Sequence, residues 1–160
     1  MLKMKKKVAI ASDHAGFKIK QSIIKDLEEK GYDVCDYGTD SANSVDYPDY
    51  VKKVGKAIQS GKADRGILLC GSGVGVCIAA NKMLGIYASI CHDLYTARQA
   101  VEHDNINVLC LGGRIIGSEL TMQLVKEFLG ASFVGNNPGE ERHIRRIEKV
   151  KEIEKGGLGS

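Results

Sequence analysis

An alternation repeated along the chain constrains the fold most: a short apolar run, a turn of small or polar residues, then apolar residues recurring every three to four positions. Val8-Ala9-Ile10-Ala11 closes on Ser12-Asp13-His14-Ala15-Gly16, and Tyr32 to Tyr37 leads into a polar loop through Asp40, Asn43, Ser44 and Asp46. Gly66 to Leu69 ends at Cys70-Gly71-Ser72-Gly73-Val74-Gly75, Ile86 to Ile90 at His92-Asp93, and Asn107 to Leu111 at Gly112-Gly113-Arg114. Helical spacing fills the intervals, first with Phe17, Lys20, Ile23, Ile24 and Leu27 up to Lys30. It returns after Pro48, over Val76 to Lys82, over Leu94 to Val101, and from a Ser118 cap through Leu120, Leu124 and Phe128 to Gly130. A charged amphipathic helix over 140–155 follows, with Ile144, Ile147, Val150 and Ile153 along one side.

Short, mostly apolar strands must be covered on both faces, which predicts parallel βαβ units. The expected fold is α/β: a doubly wound five-stranded parallel sheet, Rossmann-like or flavodoxin-like, with helices on both faces. A chain of 160 residues reads as one domain over 1–160, with a core over 7–150 and a frayed tail over 156–160.

In such sheets ligands bind outside the carboxyl ends of the strands. That rule directs attention to Asp13-His14, Tyr37-Gly38, Cys70 to Gly75, His92-Asp93 and Gly112-Gly113-Arg114. At Cys70 a buried strand meets a thiol, a glycine-rich turn and a helix start. Glycines admit close approach of backbone amides, and a helix N-terminus favours anions and a thiolate. The segment therefore suits either a nucleotide cradle or a thiol catalyst. It departs from G-x-G-x-x-G because position 76 is Val76, although Asp93 stands at about the right distance for a ribose contact. No Lys-Ser/Thr follows, so it is not a Walker loop. A hydrolytic or redox thiol would need a nearby His, which His14 or His103 offers.

The remaining composition excludes other classes. A net charge of +3 is too small to imply nucleic acid, and Lys3, Lys5, Lys6 and Lys7 read as a solvated lead-in to the first strand. No apolar run is long enough for a membrane span, and no secretory signal is visible. Cys35, Cys70, Cys77, Cys91 and Cys110 are odd in number and lack C-x-x-C or zinc spacing, which fits a reduced, cytoplasmic setting. Cys77, Cys91 and Cys110 lie in apolar runs and read as small hydrophobes.

Asp13 has two readings, as an N-cap of the first helix or as a sugar ligand beside His14. His103, between a helix and the fifth strand, sits on the wrong edge of its own βαβ unit to join Cys70. It is either structural or serves a neighbouring subunit. Arg142, Arg145, Arg146 and Lys149 form a stripe interleaved with Glu140, Glu141 and Glu148: a solvated face, or a phosphate clamp of Arg142 and Arg146. Arg114, at a strand's carboxyl end, is the better anion candidate.

Several segments together resemble type B ribose-5-phosphate isomerase, of the ribose/galactose sugar-phosphate isomerase family. They are Ser12 to Gly16, Asp46-Tyr47-Pro48, Cys70 to Gly75 with Ala79-Ala80-Asn81-Lys82, Asn107 to Leu109 with Gly112 to Arg114, and Arg142-His143 to Arg146. The resemblance covers residues 7 to 150. It implies D-ribose 5-phosphate/D-ribulose 5-phosphate isomerisation with no cofactor and no metal, Cys70 moving a proton between C2 and C1 through a cis-enediolate. It further implies an anion hole of Gly71, Ser72, Gly73, Val74 and Gly75, a ring-opening His103, and sugar contacts from Asp13, Tyr47 and Asp104. His14, Arg114, Arg142 and Arg146 would contact phosphate. Ser72 stands where Thr is common, which keeps hexose 6-phosphates (allose or galactose 6-phosphate) and free sugars open as substrates; Asp104 stands where Asn is frequent, which bears on its sugar contact. Homodimers or dimers of dimers are implied, with active sites shared between subunits and the C-terminal helix reaching the partner. The reading from another class is a non-catalytic nucleotide-binding module.

Overall fold

The computed structural model describes residues 5–156. Its strands are β1 (Lys7–Ser12), β2 (Asp33–Asp36), β3 (Arg65–Cys70), β4 (Ala88–Ile90) and β5 (Val108–Gly112). Its helices are α1 (Phe17–Glu29), α2 (Tyr47–Gln59), α3 (Val74–Asn81), α4 (Leu94–Asp104), α5 (Ser118–Gly130) and α6 (Glu141–Glu154). All strand pairs are parallel, in the order β2-β1-β3-β5-β4.

That order dictates the layers. β1→β2 and β4→β5 step one way across the sheet, β2→β3 and β3→β4 the other, so right-handed crossovers send α1 and α4 to one face and α2 and α3 to the opposite one. Two apolar clusters match. Val8, Ile10, Ile67, Leu69, Leu109 and Leu111 pack with Ile23, Leu27, Val101, Leu124 and Phe128 from α1, α4 and α5. The intervening strand residues Ala9, Ala11, Leu68, Cys70, Val108 and Cys110 pack with Val51, Val54, Val76 and Ala80 from α2 and α3. Side chains alternate at period two in each central strand, and both faces are covered, as the apolar runs require.

Polar groups secure the margins. Lys20, within the apolar spacing of α1, is fully buried, and its ammonium donates to Asp36 Oδ1 (2.6 Å) and the Thr39 carbonyl (2.7 Å). Arg65 donates to the Phe128 carbonyl and to the Ala131 carbonyl (2.8 Å), satisfying the end of α5. The edge of β4 is occupied by a side chain: Asn81 accepts from Ala88 N–H (2.9 Å) and donates to Ala88 C=O (2.8 Å). A carboxamide thus takes the place of a neighbouring strand.

Several boundaries differ from expectation. α3 begins at Val74, because Gly73 supplies the left-handed turn, so Gly75 belongs to its first turn. α4 continues past Val101 to Asp104, where Asn105 in the left-handed region ends it, so His103 and Asp104 are helical. Ser118 does not cap α5; Gly117 holds that position without a side-chain bond. Lys6 donates to the Leu129 carbonyl (2.7 Å) rather than being only solvated. Lys3 and the tail beyond Gly156 lie outside the described residues. α6 closes on its own chain: Glu154 accepts from Gly85 N–H at 2.9 Å and lies 3.4 Å from the Tyr87 hydroxyl.

Candidate active site

From β1 the chain crosses outward to β2, and from β3 it crosses the other way. The carboxyl ends of β1 and β3 therefore flank the crevice of the sheet. Ser12-Asp13 and Cys70-Gly71 meet there, and Asp13 N–H continues the pairing to Leu69 C=O (3.1 Å). Cys70 is 5% exposed, and its Sγ accepts the Gly73 N–H at 3.1 Å. Gly73 has φ +83°, and a Cβ there would lie 3.1 Å from the Leu111 carbonyl carbon, so both conformation and space require glycine. Ser72 Oγ accepts from Val74 N–H (3.2 Å). First-turn amides of a helix have no intrahelical acceptor, so the loop offers donors and the positive end of α3 beside the sulfur. Such an array stabilises an oxyanion next to a base.

The surrounding side chains come from three segments: the turn after β1, the start of α2 and the turn after β5. Asp13 is buried, and its Oδ1 accepts the amides of Ala15 (2.9 Å) and Gly16 (3.2 Å). It builds a turn ahead of α1 and is not its cap, which is Gly16. His14 Nδ1 accepts from Val45 N–H (3.2 Å), which in the neutral ring leaves the proton on Nε2, available to an anion. The Tyr47 ring lies over α3, where a Cβ on Gly75 would come within 2.6 Å of its Cζ. Arg114 N–H donates to Gly71 C=O (3.0 Å), and its Nη1 would lie 3.3 Å from a Cβ on Gly71. Asp13, His14, Tyr47, residues 70–75 and Arg114 are therefore brought to one edge of the sheet.

His103, Asp104, Arg142 and Arg146 are elsewhere. His103 and Asp104 occupy the last turn of α4, towards the amino edge of the sheet, and the His103 ring stacks on His143 of α6. Arg142 is engaged by Glu140 Oε2 (2.8 Å) and the Gly139 carbonyl (3.0 Å). Arg146 and Asp104 line a cavity of about 210 Å³ with Asn81, Tyr87, Ile147 and Val150. One chain thus carries two half-constellations on different edges.

Two groups were reached by the sequence without being given a role: His92, among the strand ends singled out, and Ser12, within the Ser12 to Gly16 segment. His92, at the end of β4, accepts Gly112 N–H on Nε2 (3.0 Å), and burial lowers its pKa, so it is a neutral brace for the Gly112-Gly113-Arg114 corner. A His at a strand's carboxyl end was the available signal. Ser12 Oγ, buried at the end of β1, has no hydrogen-bond partner among the described residues, and nothing local in the sequence marks it. Cys77 packs against the apolar cluster under α2 and α3, as a small hydrophobe does, but its position there also gives the thiol a second character. Its thiol is half-buried and hydrogen-bonded by Cys110, which lowers its pKa to about 7 and raises that of Cys110. Asp93, considered for a nucleotide ribose, caps α4 through the Thr96 amide (2.7 Å).

A parallel α/β sheet with a thiol, helix-start amides, a histidine and an arginine gathered at the carboxyl ends of its strands defines the frame of a small-molecule enzyme. The Ribose/Galactose Isomerase family model matches residues 8–150, and the chain belongs to that family. It is 43% identical over 149 residues to ribose-5-phosphate isomerase B of Escherichia coli, covering 93% of this chain and 97% of that protein. It is 40% identical over 144 residues to a D-erythrulose-4-phosphate isomerase of Pectobacterium atrosepticum, covering 89% and 91%. Among solved structures, ribose-5-phosphate isomerase B of Mycoplasma genitalium with bound ribulose-5-phosphate aligns with TM-score 0.86 and 41% identity, covering 96% and 99%.

Proposed function

We propose that this protein interconverts D-ribose 5-phosphate and D-ribulose 5-phosphate by proton transfer through an enediolate, with Cys70 as the base. The observation that carries the reading is the Cys70 Sγ at the β1/β3 switch point, receiving the Gly73 amide at 3.1 Å beside the start of α3. A base at C2 of the open-chain aldose passes its proton to C1 while the oxygen charge is held by loop amides over 71–75. Ser72 Oγ is within the same loop and serves sulfur or substrate. Asp13 and Tyr47 orient the sugar; the Nε2 proton of His14 and the Arg114 guanidinium receive the phosphate. The chemistry uses no cofactor. Five free cysteines suit a reduced, cytoplasmic compartment.

Two copies of the chain supply each site in this reading. His103 opens the sugar ring, Asp104 contacts the sugar, and Arg142 and Arg146 bind phosphate, all across a two-fold interface that also brings in the C-terminal helix. The separation of the two half-constellations supports this. So does the exposure of Val74 and Ile78 on α3, Tyr95 on α4 and Ile115 beside Arg114, apolar groups that a second copy would cover. In the pair, phosphate competes with Glu140 for Arg142. Mixing Cys70→Ala with His103→Ala subunits tests the sharing: random pairing restores about a quarter of wild-type activity, since half the pairs carry one intact site. A mixture no more active than its parents refutes it.

A second reading keeps the chemistry and changes the sugar. The family is named for both ribose and galactose, and one relative for a four-carbon phosphate, so chain length varies on this frame. Comparing kcat/KM on tetrose, pentose and hexose phosphates decides it; a preference for the hexose or the tetrose overturns the pentose assignment. Cys70→Ala tests the mechanism, with an expected loss on the order of 10²-fold or more.

A further inference from the structure

His103 is the one proposed catalytic group whose ring is held by a second ring. His143, 3% exposed, stacks on it with centroids 4.3 Å apart and planes 26° from parallel. His143 is fixed in turn: its Nε2 lies 3.1 Å from Glu140 Oε2, at ion-pair distance but off hydrogen-bond alignment, and Arg142 holds the same oxygen at 2.8 Å. His103 is also hydrogen-bonded to Gln99, whose Nε2 is 3.0 Å from Nδ1.

We propose that His143 is a positioning residue for His103, a buried flat platform that fixes the plane of the imidazole while Gln99, bonded to Nδ1, fixes the side on which Nε2 stands. Stacking alone permits a half-turn of the ring that exchanges Nδ1 with Cδ2 and Nε2 with Cε1. An amide donated to Nδ1 forbids that exchange and leaves the Nε2 proton free. A group that must deliver a proton to one ring oxygen needs both constraints, because small misplacements of a reacting group are costly in rate. Neither His143 nor Gln99 touches substrate in this scheme. The inference rests on the reading of His103 as the ring-opening group.

The experiment separates ring opening from the proton transfer that follows. Ribulose 5-phosphate is open-chain, since its C5 oxygen carries the phosphate. Exchange of its C1 proton with deuterated solvent therefore requires the base but no ring opening. The variants are His143→Leu, which fills the buried site without a flat face, and His143→Phe, which restores the face without a ring nitrogen. Both are assayed on the full-length wild-type background for ribose 5-phosphate turnover and for ribulose 5-phosphate exchange. The expected result is a loss of kcat on ribose 5-phosphate on the order of ten-fold for His143→Leu, with KM within about two-fold and exchange unchanged. His143→Phe recovers most of the loss, and Gln99→Leu reproduces the His143→Leu pattern. Equal losses in turnover and exchange, no loss in either, or a Phe variant as impaired as Leu overturns the proposal. If the wild-type protein neither isomerises ribose 5-phosphate nor exchanges the ribulose 5-phosphate proton, it is the functional reading that fails.

Discussion

Lys20 and Asp36 form an unequal pair, and the inequality predicts an asymmetric response to mutation. The lysine side chain is wholly buried while that of Asp36 is 37% exposed, with 2.6 Å between Nζ and Oδ1. Replacing Asp36 with Ala leaves a buried ammonium with the Thr39 carbonyl and the face of the Phe17 ring, but no counter-charge, among the described residues. Breaking such a pair costs about 3 kcal/mol, the lower end of the usual range because water reaches the Asp36 side. For a chain of this size that lowers Tm by roughly 6–12 °C. Lys20→Met removes the charge and keeps the volume. Asp36 then rehydrates and retains its bond from Gly38 N–H (2.9 Å), so the remaining cost is the unpaired Thr39 carbonyl, about 1–2 kcal/mol. Urea unfolding at pH 7 measures both, read as midpoint shifts at constant slope. The segment matters to the site, because Gly38 C=O and Thr39 N–H both pair with the Ser12 backbone at 2.8 Å. Lys20→Met should therefore raise KM a few-fold through the carboxyl end of β1. Equal destabilisation by the two variants, or a larger effect of Lys20→Met, would refute the buried-charge argument.

Other outcomes follow from single contacts. Gly75→Ala forces the Tyr47 ring away from α3 and should raise KM several-fold with little loss of stability; adding Tyr47→Ala should leave no further penalty from the methyl group, as steady-state kinetics of the double variant will show. Asn81→Ala uncovers the N–H and C=O of Ala88 on the β4 edge, costing about 1–2 kcal/mol and raising concentration-dependent light scattering; unchanged scattering would mean that the edge is protected otherwise. The Cys77 thiol, lowered to about 7 by the Cys110 hydrogen bond, should alkylate with a rate that rises through pH 7 and levels off above about 8. Cys110→Ala removes that donor, raises the Cys77 pKa and slows alkylation at neutral pH, measurable by peptide mass spectrometry.

Local patterns carry one half of the site well. The Cys70 loop was legible because strand, thiol, glycines and helix start are contiguous, so their geometry is set by neighbours in sequence. Asp13, His14 and Arg114 follow strands, where the switch-point rule already places ligands. Cys77 and Ser12 were not legible, since the character of a thiol or hydroxyl depends on which groups the fold sets against it. A Cys in an apolar run says nothing of a second Cys across the layer. His143 was visible only within the Arg142-His143 to Arg146 segment and had no role there, because stacking between α4 and α6 joins positions forty residues apart.

The alternation of apolar runs and amphipathic stretches determined by itself that this chain folds as a parallel α/β sheet covered on both faces, since each element's buried face is written in its own period. Glycine placement similarly determined where backbone amides can gather at the end of β3. The strand order β2-β1-β3-β5-β4 was decided only in the tertiary structure, and with it the crevice that sets Asp13 beside Cys70. The meeting of Asp104 with Arg146 at one cavity on the second edge, where the sequence had already set His103, was decided there too. Crossovers of similar length can place a strand next to its predecessor or one position beyond it, and packing of α2 and α3 on one face against α1, α4 and α5 on the other selects between them.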